Sequence, residues 1–103
     1  MSTLDRPHAV IIGCGRVGAG LADRLSSADH TVTVVDQTPA SFRRLDGIDA
    51  ERIVGVGYDR GTLLSAGIER AAILAAVTNG DNTNIVVART ARERFRVPRV
   101  VGG

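Results

Sequence analysis

A glycine-rich turn between a predicted strand and a predicted helix constrains this chain more than any other feature of its sequence. The apolar run His8–Ile12 leads into Gly13-Cys14-Gly15-Arg16-Val17-Gly18, where a helix is predicted to begin. The three glycines permit a tight turn, close approach of the main chain to a pyrophosphate, and close packing of the helix on the strand. The helix N-terminus would offer N–H groups to the phosphates. We therefore predict that these six residues bind phosphate; the alternative is a purely structural turn.

Asp36 follows the second predicted strand, about twenty residues beyond the turn, where such folds place the acidic residue that binds the adenosine ribose. A carboxylate there disfavours a 2′-phosphate and hence NADP. Gln37, part of the predicted site, and Thr38 supply no cation, and Arg43 and Arg44 lie too far along the chain unless they fold back. NAD, NADH, ATP, ADP and AMP all remain compatible ligands. The alternative for Asp36 is a residue that only caps the following turn.

Strands and helices alternate along the chain, which predicts an α/β fold with a parallel sheet. The predicted strands are His8–Ile12, Thr31–Val35, Arg52–Val54, Ala71–Val77 and Arg99–Val101. We expect a flexible N-terminus over 1–7 and, over 8–103, one three-layer domain with a Rossmann-like doubly wound sheet. The short fifth strand leads us to expect a module truncated after that strand.

The helices between these strands are predicted from their apolar faces and their end signals. The first runs from Arg16 to Ala28, and the last from Asp81 to Phe95. The residues expected on their apolar faces are Val17, Leu21 and Leu25 in the first helix, and Ile85, Ala88, Ala91 and Phe95 in the last. A short helix opened by Thr38-Pro39 should bury Phe42 and Leu45.

A further helix is expected to begin after Asp59 and to end near Ala66. Gly67 is suited to the left-handed conformation that follows a helix end, with Ile68 as its apolar contact.

Composition excludes several classes of protein. The net charge of +2 is too small to argue for nucleic acid, and the single cysteine allows no internal disulfide. No apolar run approaches the roughly 18 residues of a membrane span, and residues 1–7 lack a secretion signal, so we expect a cytoplasmic protein. Five arginines between Arg89 and Arg99 form either a solvated surface or a surface for a partner or polyanion. No metal site is predicted.

The sequence offers no evident catalytic group. It contains no lysine, and His8 and His30 precede the first two strands, at the sheet edge opposite a bound ligand. Tyr58 would lie beside the adenosine half of a ligand. Cys14, at a helix N-terminus, is either a reactive thiolate or, as we expect, a small residue that fills the turn. We therefore predict a binding site and no enzyme.

The spacing of several further blocks resembles the N-terminal nucleotide-binding domain of TrkA-type potassium-uptake regulators, also called RCK or KTN domains. Besides the glycine-rich turn and Asp36, the resemblance rests on Gly55-Val56-Gly57-Tyr58-Asp59, Ala66-Gly67-Ile68, Ala76-Val77-Thr78-Asn79-Gly80-Asp81-Asn82-Thr83-Asn84 and Val97-Pro98-Arg99-Val100-Val101. It covers nearly the whole chain. Two positions depart from the family pattern: Val56 replaces a polar residue and Tyr58 a smaller one.

The resemblance implies a cytoplasmic regulator bound to the inner face of the membrane through a potassium transporter subunit. In that family the domain binds NAD(H), ATP or ADP and passes a conformational change to the pore protein. By the same resemblance Gly57, Tyr58 and Asp59 would lie beside the adenosine, and Thr78 and Asn79 beside the phosphate or nicotinamide. Tyr58 either supports the adenine or is a half-exposed loop residue, and Asp59 is a helix cap, a ligand contact or both.

Two other functions remain open from the sequence. The first alternative to a regulator is the cofactor-binding half of an NAD-dependent oxidoreductase. The second is an isolated domain that binds a nucleotide for stability. Homo-oligomer formation through a sheet edge or the last helix is a further expectation.

Overall fold

The computed structural model describes residues 6–102 and contains one sheet of five parallel strands. The strands are β1 (His8–Ile12), β2 (Thr31–Asp36), β3 (Glu51–Val54), β4 (Ala71–Ala76) and β5 (Arg99–Val101). Their order in the sheet is β3-β2-β1-β4-β5, and every neighbouring pair is parallel. From β1 the chain adds β2 and β3 on one side, and it then returns to add β4 and β5 on the other side of β1. The direction in which strands are added therefore reverses between β1 and β4. In such sheets a crevice opens at that point, outside the carboxyl ends of the strands.

Helices cover both faces of the sheet and give the three predicted layers. They are α1 (Arg16–Ser27), α2 (Arg60–Ser65) and α3 (Asp81–Glu93), with 3-10 helices at Pro39–Leu45 and Ile68–Arg70. One apolar cluster joins α1 and the Pro39–Leu45 helix to the sheet, and a second joins α2 and α3 to its other face. The predicted Rossmann-like α/β fold is confirmed. Residues 1–5 of the predicted flexible N-terminus, and Gly103, lie outside the described residues.

The side of α1 that packs on the sheet consists of small residues. Gly18, Ala19 and Ala22 are buried there, and a Cβ built at Gly18 would overlap the carbonyl oxygen of Gly13. Because the helix lies this close to the strand, larger side chains are displaced to its margins. Of the predicted apolar face, Leu21 and Leu25 are half-buried, whereas Val17 is 63% exposed. The expectation for Val17 is therefore wrong.

The buried face of α3 is rotated relative to the predicted one. Val87, Ala88 and Ala91 are buried, whereas Ile85 is 45% exposed. Three consecutive apolar residues at 85–87 offer the helix two alternative apolar faces, and periodicity alone cannot choose between them. Phe95 lies beyond the helix end and packs half-buried against the core.

The predicted helix ends are mostly confirmed. Asp59 caps α2 by accepting a hydrogen bond from the Thr62 N–H at 3.0 Å, and Gly67 adopts a left-handed φ of 87°. Thr38 occupies the cap position of the Pro39–Leu45 helix, but its side chain makes no capping hydrogen bond. No helix within residues 6–102 is long and apolar enough to cross a membrane.

His8 joins three elements at the amino edge of the sheet. Its Nε2–H donates to the carbonyl of Ala66 at 2.8 Å, and its Nδ1 lies 2.7 Å from the hydroxyl of Thr31. Since a carbonyl can only accept, Nε2 carries the proton of the neutral ring and Nδ1 accepts from the hydroxyl. The ring therefore links β1 to β2 and to the end of α2. This contact lies at the edge of the sheet opposite the carboxyl ends of the strands.

Candidate functional site

A cleft of about 420 Å³ lies at the carboxyl edge of the sheet. Its walls are the turn after β1 (residues 13–15), the segment after β2 (36–38, with Ser41 and Arg44), Gly55 and Gly57 after β3, and the turn after β4 (77–80). Because all strands run parallel, their four following segments meet at this one edge. The predicted turn and Asp36 are thereby brought into one site.

Gly13 is required by the way two turns pack against each other. Its φ of 110° is one that side chains rarely adopt. A Cβ built there would lie 2.8 Å from the carbonyl oxygen of Val77, in the turn after β4. The Gly13 N–H also donates to the carbonyl of Val35 at 2.8 Å. Gly13 therefore allows the turns after β1 and β4 to touch, which closes the floor of the cleft.

Gly15 is different, because no packing contact or backbone angle within residues 6–102 requires glycine there. Its φ of −85° and ψ of −165° are open to any residue. A Cβ built on it would meet no protein atom within 4 Å, and the residue lines the cleft. It also stands at the N-cap of α1, whose first N–H groups have no partner within the helix. The space beside Gly15 is thus open to a group that approaches those N–H groups.

The Asp36 carboxylate is anchored by the main chain on both oxygens. Oδ2 accepts from the Cys14 N–H at 2.7 Å and Oδ1 from the Thr38 N–H at 2.8 Å. Asp36 therefore does cap the following turn, but it also reaches across to the turn after β1. Each carboxylate oxygen has a second lone-pair direction, and the half-buried carboxylate lines the cleft. Asp36 therefore keeps acceptor capacity toward the cleft.

Arg44 folds back to the cleft, contrary to the expectation that it lies too far along the chain. Its Nη1 donates to the carbonyl of Cys14 at 3.4 Å, and its side chain lines the cleft. The cause is the 3-10 geometry of the Pro39–Leu45 helix, in which residues three apart lie above one another. Ser41 and Arg44 share the side that faces the cleft, and this spacing is the signal that could have identified both.

The Cys14 thiol is buried and donates to the carbonyl of Ser41 at 3.4 Å. Burial raises the pKa of the Cys14 thiol, and the negative charge of Asp36 raises it further. Both effects disfavour the thiolate, which is the nucleophilic form. Of the two interpretations from sequence, the geometry supports the side chain that fills the turn.

The turn after β4 is bonded to Asn84, which lies in the first turn of α3. Asn84 Oδ1 accepts from the N–H and the hydroxyl of Thr78 at 2.9 and 2.7 Å, and Asn84 Nδ2 donates to the Thr78 carbonyl at 3.0 Å. Asn84 therefore ties the loop to the helix, as its sequence position indicates. Thr78 and the exposed Asn79 both line the cleft.

Not every residue of the predicted site lines this cleft. Arg16 and Val17 are exposed on the first turn of α1, and Gly18 is buried beneath it. Gly57 lines the cleft, whereas the neighbouring Tyr58 is 59% exposed outside the lining.

Asp59 lies in the same loop as Tyr58 and also stands outside the cleft lining. Besides the Thr62 N–H, its Oδ2 accepts from the Thr62 hydroxyl at 3.0 Å. The structure thus gives Asp59 the role of a helix cap.

Residues 9–102 match the family model of the TrkA-N domain. The "Trk system potassium uptake protein TrkA" of Streptomyces coelicolor is 53% identical over 94 residues, which cover 90% of this chain and 42% of that protein. The protein of the same name from Azorhizobium caulinodans is 40% identical over 93 residues, covering 89% of this chain and 20% of that protein. The chain thus spans less than half of either relative.

Solved structures share the fold at lower identity. The Kef CTD of Shewanella denitrificans in AMP bound form has a TM-score of 0.78 at 20% identity, covering 92% of this chain and 57% of that one. The TrkA-N domain of the inner membrane protein ybaL from Escherichia coli has a TM-score of 0.77 at 21% identity, covering 94% of this chain and 72% of that one. These likenesses establish the arrangement of strands and helices.

Proposed function

This chain belongs to the TrkA-N domain family, and from that premise we propose that it is the regulatory nucleotide-binding domain of a potassium uptake system. Its ligand is NAD(H) or an adenine nucleotide, held in the cleft at the carboxyl edge of the sheet. The names of the Streptomyces and Azorhizobium relatives support the link to potassium uptake. The Kef domain described as AMP bound supports a nucleotide as the ligand.

Gly15 is the observation that carries the proposal. Protein packing and backbone conformation both leave room for a side chain at this position. Glycine there is explained by a ligand whose phosphates come within hydrogen-bonding distance of the main chain. The free N–H groups and the positive end of the α1 dipole then stabilise the phosphate charge. A structural turn alone would account for Gly13 and Gly18 but not for Gly15.

The other walls of the cleft complete the proposed site. Asp36 accepts hydrogen bonds from the ribose hydroxyls while Cys14 and Thr38 hold its carboxylate in place. Gly57 brings its loop against β1, since a Cβ there would overlap the Ile12 side chain. Thr78 and Asn79 border the far side of the cleft. Arg16 is exposed at the first position of α1, outside the cleft lining, and its charge adds to the positive end of the helix dipole.

Regulation requires a ligand that prefers one arrangement of the protein. A ligand shifts a conformational equilibrium only by its difference in affinity for the two states. The cleft is lined by four separate segments of the chain, so a ligand that bridges them favours the arrangement in which all four contact it. We propose that the full protein transmits this change to a membrane potassium transporter subunit at the inner face of the membrane. Residues outside this chain would complete that contact.

A binding role is favoured over catalysis by the residues present. Among residues 6–102, the cleft lining contains neither histidine nor tyrosine, and the sequence contains no lysine. The raised pKa of the Cys14 thiol disfavours the thiolate, which makes Cys14 a poor nucleophile. The oxidoreductase alternative would require a base from a further domain. A full-length gene that encodes such a domain, and no transporter partner that copurifies with the protein, would favour the alternative.

Calorimetric titration with NAD, NADH, ATP, ADP and AMP tests ligand binding directly. We expect at least one to bind, and Gly15→Ala to weaken that binding by about tenfold or more, because the methyl group occupies the space of the ligand. Gly20→Ala is the matched control: a Cβ there also meets no protein atom within 4 Å, but on the exposed side of α1. Equal affinities of the two variants, with both chains shown to be folded by cooperative thermal unfolding, would contradict the proposal.

A further inference from the structure

We infer that Arg44 makes the ribose subsite of this cleft tolerant of a 2′-phosphate, so that the site accepts NADP(H) as well as the nucleotides that Asp36 alone would select. This inference rests on the proposed function, since it names a ligand class for the same cleft. It reverses the exclusion of NADP that the sequence predicts, because that exclusion assumed that no cation lies beside the ribose carboxylate.

Arg44 contacts the same residue that holds Asp36. The Cys14 N–H donates to Asp36 Oδ2, and the Cys14 carbonyl accepts from Arg44 Nη1. The carboxylate and the guanidinium therefore both bond to the main chain of one turn residue, and both residues line the cleft. Both charges also act on the buried Cys14 thiol, and with opposite sign.

The Arg44 guanidinium keeps hydrogen-bonding capacity for a ligand. The one ion pair within residues 6–102 joins Arg6 to Asp29, so Arg44 is not neutralised by a carboxylate in that part of the chain. Its only hydrogen bond to the described residues uses one N–H of Nη1, and a guanidinium has five N–H donors. The remaining donors suit the planar, bidentate recognition of a phosphate.

The charge beside the proposed ribose position is therefore the sum of the Asp36 carboxylate and the Arg44 guanidinium, and not that of a carboxylate alone. The negative charge of Asp36 is already partly balanced by two backbone N–H donors. Arg44 brings a full positive charge to the same wall of the cleft. In dinucleotide-binding folds, an arginine near the ribose is the group that accommodates a 2′-phosphate. The subsite therefore holds one acceptor for ribose hydroxyls and one cation for a phosphate beside them.

Two ligand pairs that differ only by the 2′-phosphate test this inference: NAD with NADP, and AMP with adenosine 2′,5′-bisphosphate. We expect each phosphorylated member to bind within about tenfold of its partner. Arg44→Ala should weaken only the phosphorylated members, by about tenfold or more, as expected for the loss of a hydrogen bond to a charged group. Arg44→Lys, which keeps the charge, should retain part of the binding.

Arg43→Ala is the matched control, because Arg43 is the exposed neighbour in the same 3-10 helix and lies outside the cleft lining. It should leave all four affinities unchanged. The inference is overturned if Arg43→Ala acts like Arg44→Ala, if Arg44→Ala weakens both members of a pair equally, or if NAD and AMP bind while their 2′-phosphorylated partners do not. If no member of either pair binds, and the ATP, ADP and NADH titrations are equally negative, the proposed function itself fails.

Discussion

The backbone N–H of Cys14 donates a 2.7 Å hydrogen bond to Oδ2 of Asp36. This bond joins the turn after β1 to the end of β2, so that the predicted phosphate-binding and ribose-binding elements form one unit. Its acceptor is a charged group, which makes it stronger than a bond between neutral partners. The same carboxylate reaches Thr38 with its other oxygen. Asp36 thus supports the shape of the site as well as its proposed chemistry.

Asp36→Ala should therefore reduce both stability and ligand affinity. Two backbone N–H groups lose their acceptor, and that of the buried Cys14 is the costlier, so the free energy of unfolding should fall by about 1–3 kcal/mol. Urea titration monitored by circular dichroism measures this change. Asp23→Ala, on the exposed surface of α1, should stay within about 0.5 kcal/mol of the parent chain. An Asp36 variant as stable as the Asp23 variant would show that the two bonds contribute little.

Gly18→Ala should destabilise the fold, because the new methyl group would overlap the Gly13 carbonyl beneath α1. Forcing the helix away from the strand should cost about 1–3 kcal/mol. Gly20→Ala places the same methyl group two residues further along the same helix, in open space. It should instead stabilise the chain by up to about 1 kcal/mol through helix propensity. Thermal denaturation of both variants checks the prediction, which fails if the two changes have the same sign.

Stability should decline as the pH falls below neutrality, and His8 should be a major cause. Burial is the main reason that the pKa of His8 lies below its usual value of 6.5. The folded chain therefore keeps the ring neutral at pH values where the unfolded chain binds a proton. Stability from this group is fully present above pH 6.5 and is lost as the pH falls toward the folded pKa.

Urea unfolding at pH 7.5 and 5.5 measures that loss. His8→Gln should narrow the difference between the two pH values, although the variant is less stable at both because the ring joins Thr31 to Ala66. His30→Gln makes the same chemical change outside β1 and serves as the matched control. An unchanged pH difference in the His8 variant would assign the effect to other groups.

The Cys14 thiol should react slowly in the native chain. Its side chain is fully buried, and burial together with Asp36 raises the pKa of the thiol. Because the thiolate is the reacting species, labelling with a disulfide reagent at pH 7.5 should be much slower than in urea-unfolded chain. A ligand in the cleft should slow labelling further. Fast native labelling that ignores the ligand would contradict the described packing of the turn.

Much of the fold was predictable because local signals agreed with one another. The five strands, the left-handed Gly67 and the Asp59 cap all follow from short sequence patterns, and the structure confirms them. The errors arose where a pattern admitted two solutions. Ile85 and Val87 both continue an apolar helix face, and only the docking of α3 on the sheet decides which of them is buried.

Some residues of the candidate site could be predicted from the sequence, and others could not. Gly13, Gly15 and Asp36 were predicted from a known spacing, a glycine turn after one strand and a carboxylate at the end of the next, and all three line the cleft. Arg44 could not, since its place in the cleft depends on the 3-10 geometry of a helix and on a carbonyl thirty positions earlier in the chain. The sequence also left open whether Tyr58 contacts a ligand. In the structure, Tyr58 lies outside the cleft lining.

By itself, the sequence determined the alternation of strands and helices, the glycine turn and the carboxylate at the end of β2, because these depend on interactions within a few consecutive residues. Only the tertiary structure decided which apolar side chains are buried and which charged groups meet at the cleft. The physical reason is that parallel strands bring together segments distant in sequence, and the close packing of α1 and α3 on the sheet then selects one among several locally acceptable arrangements.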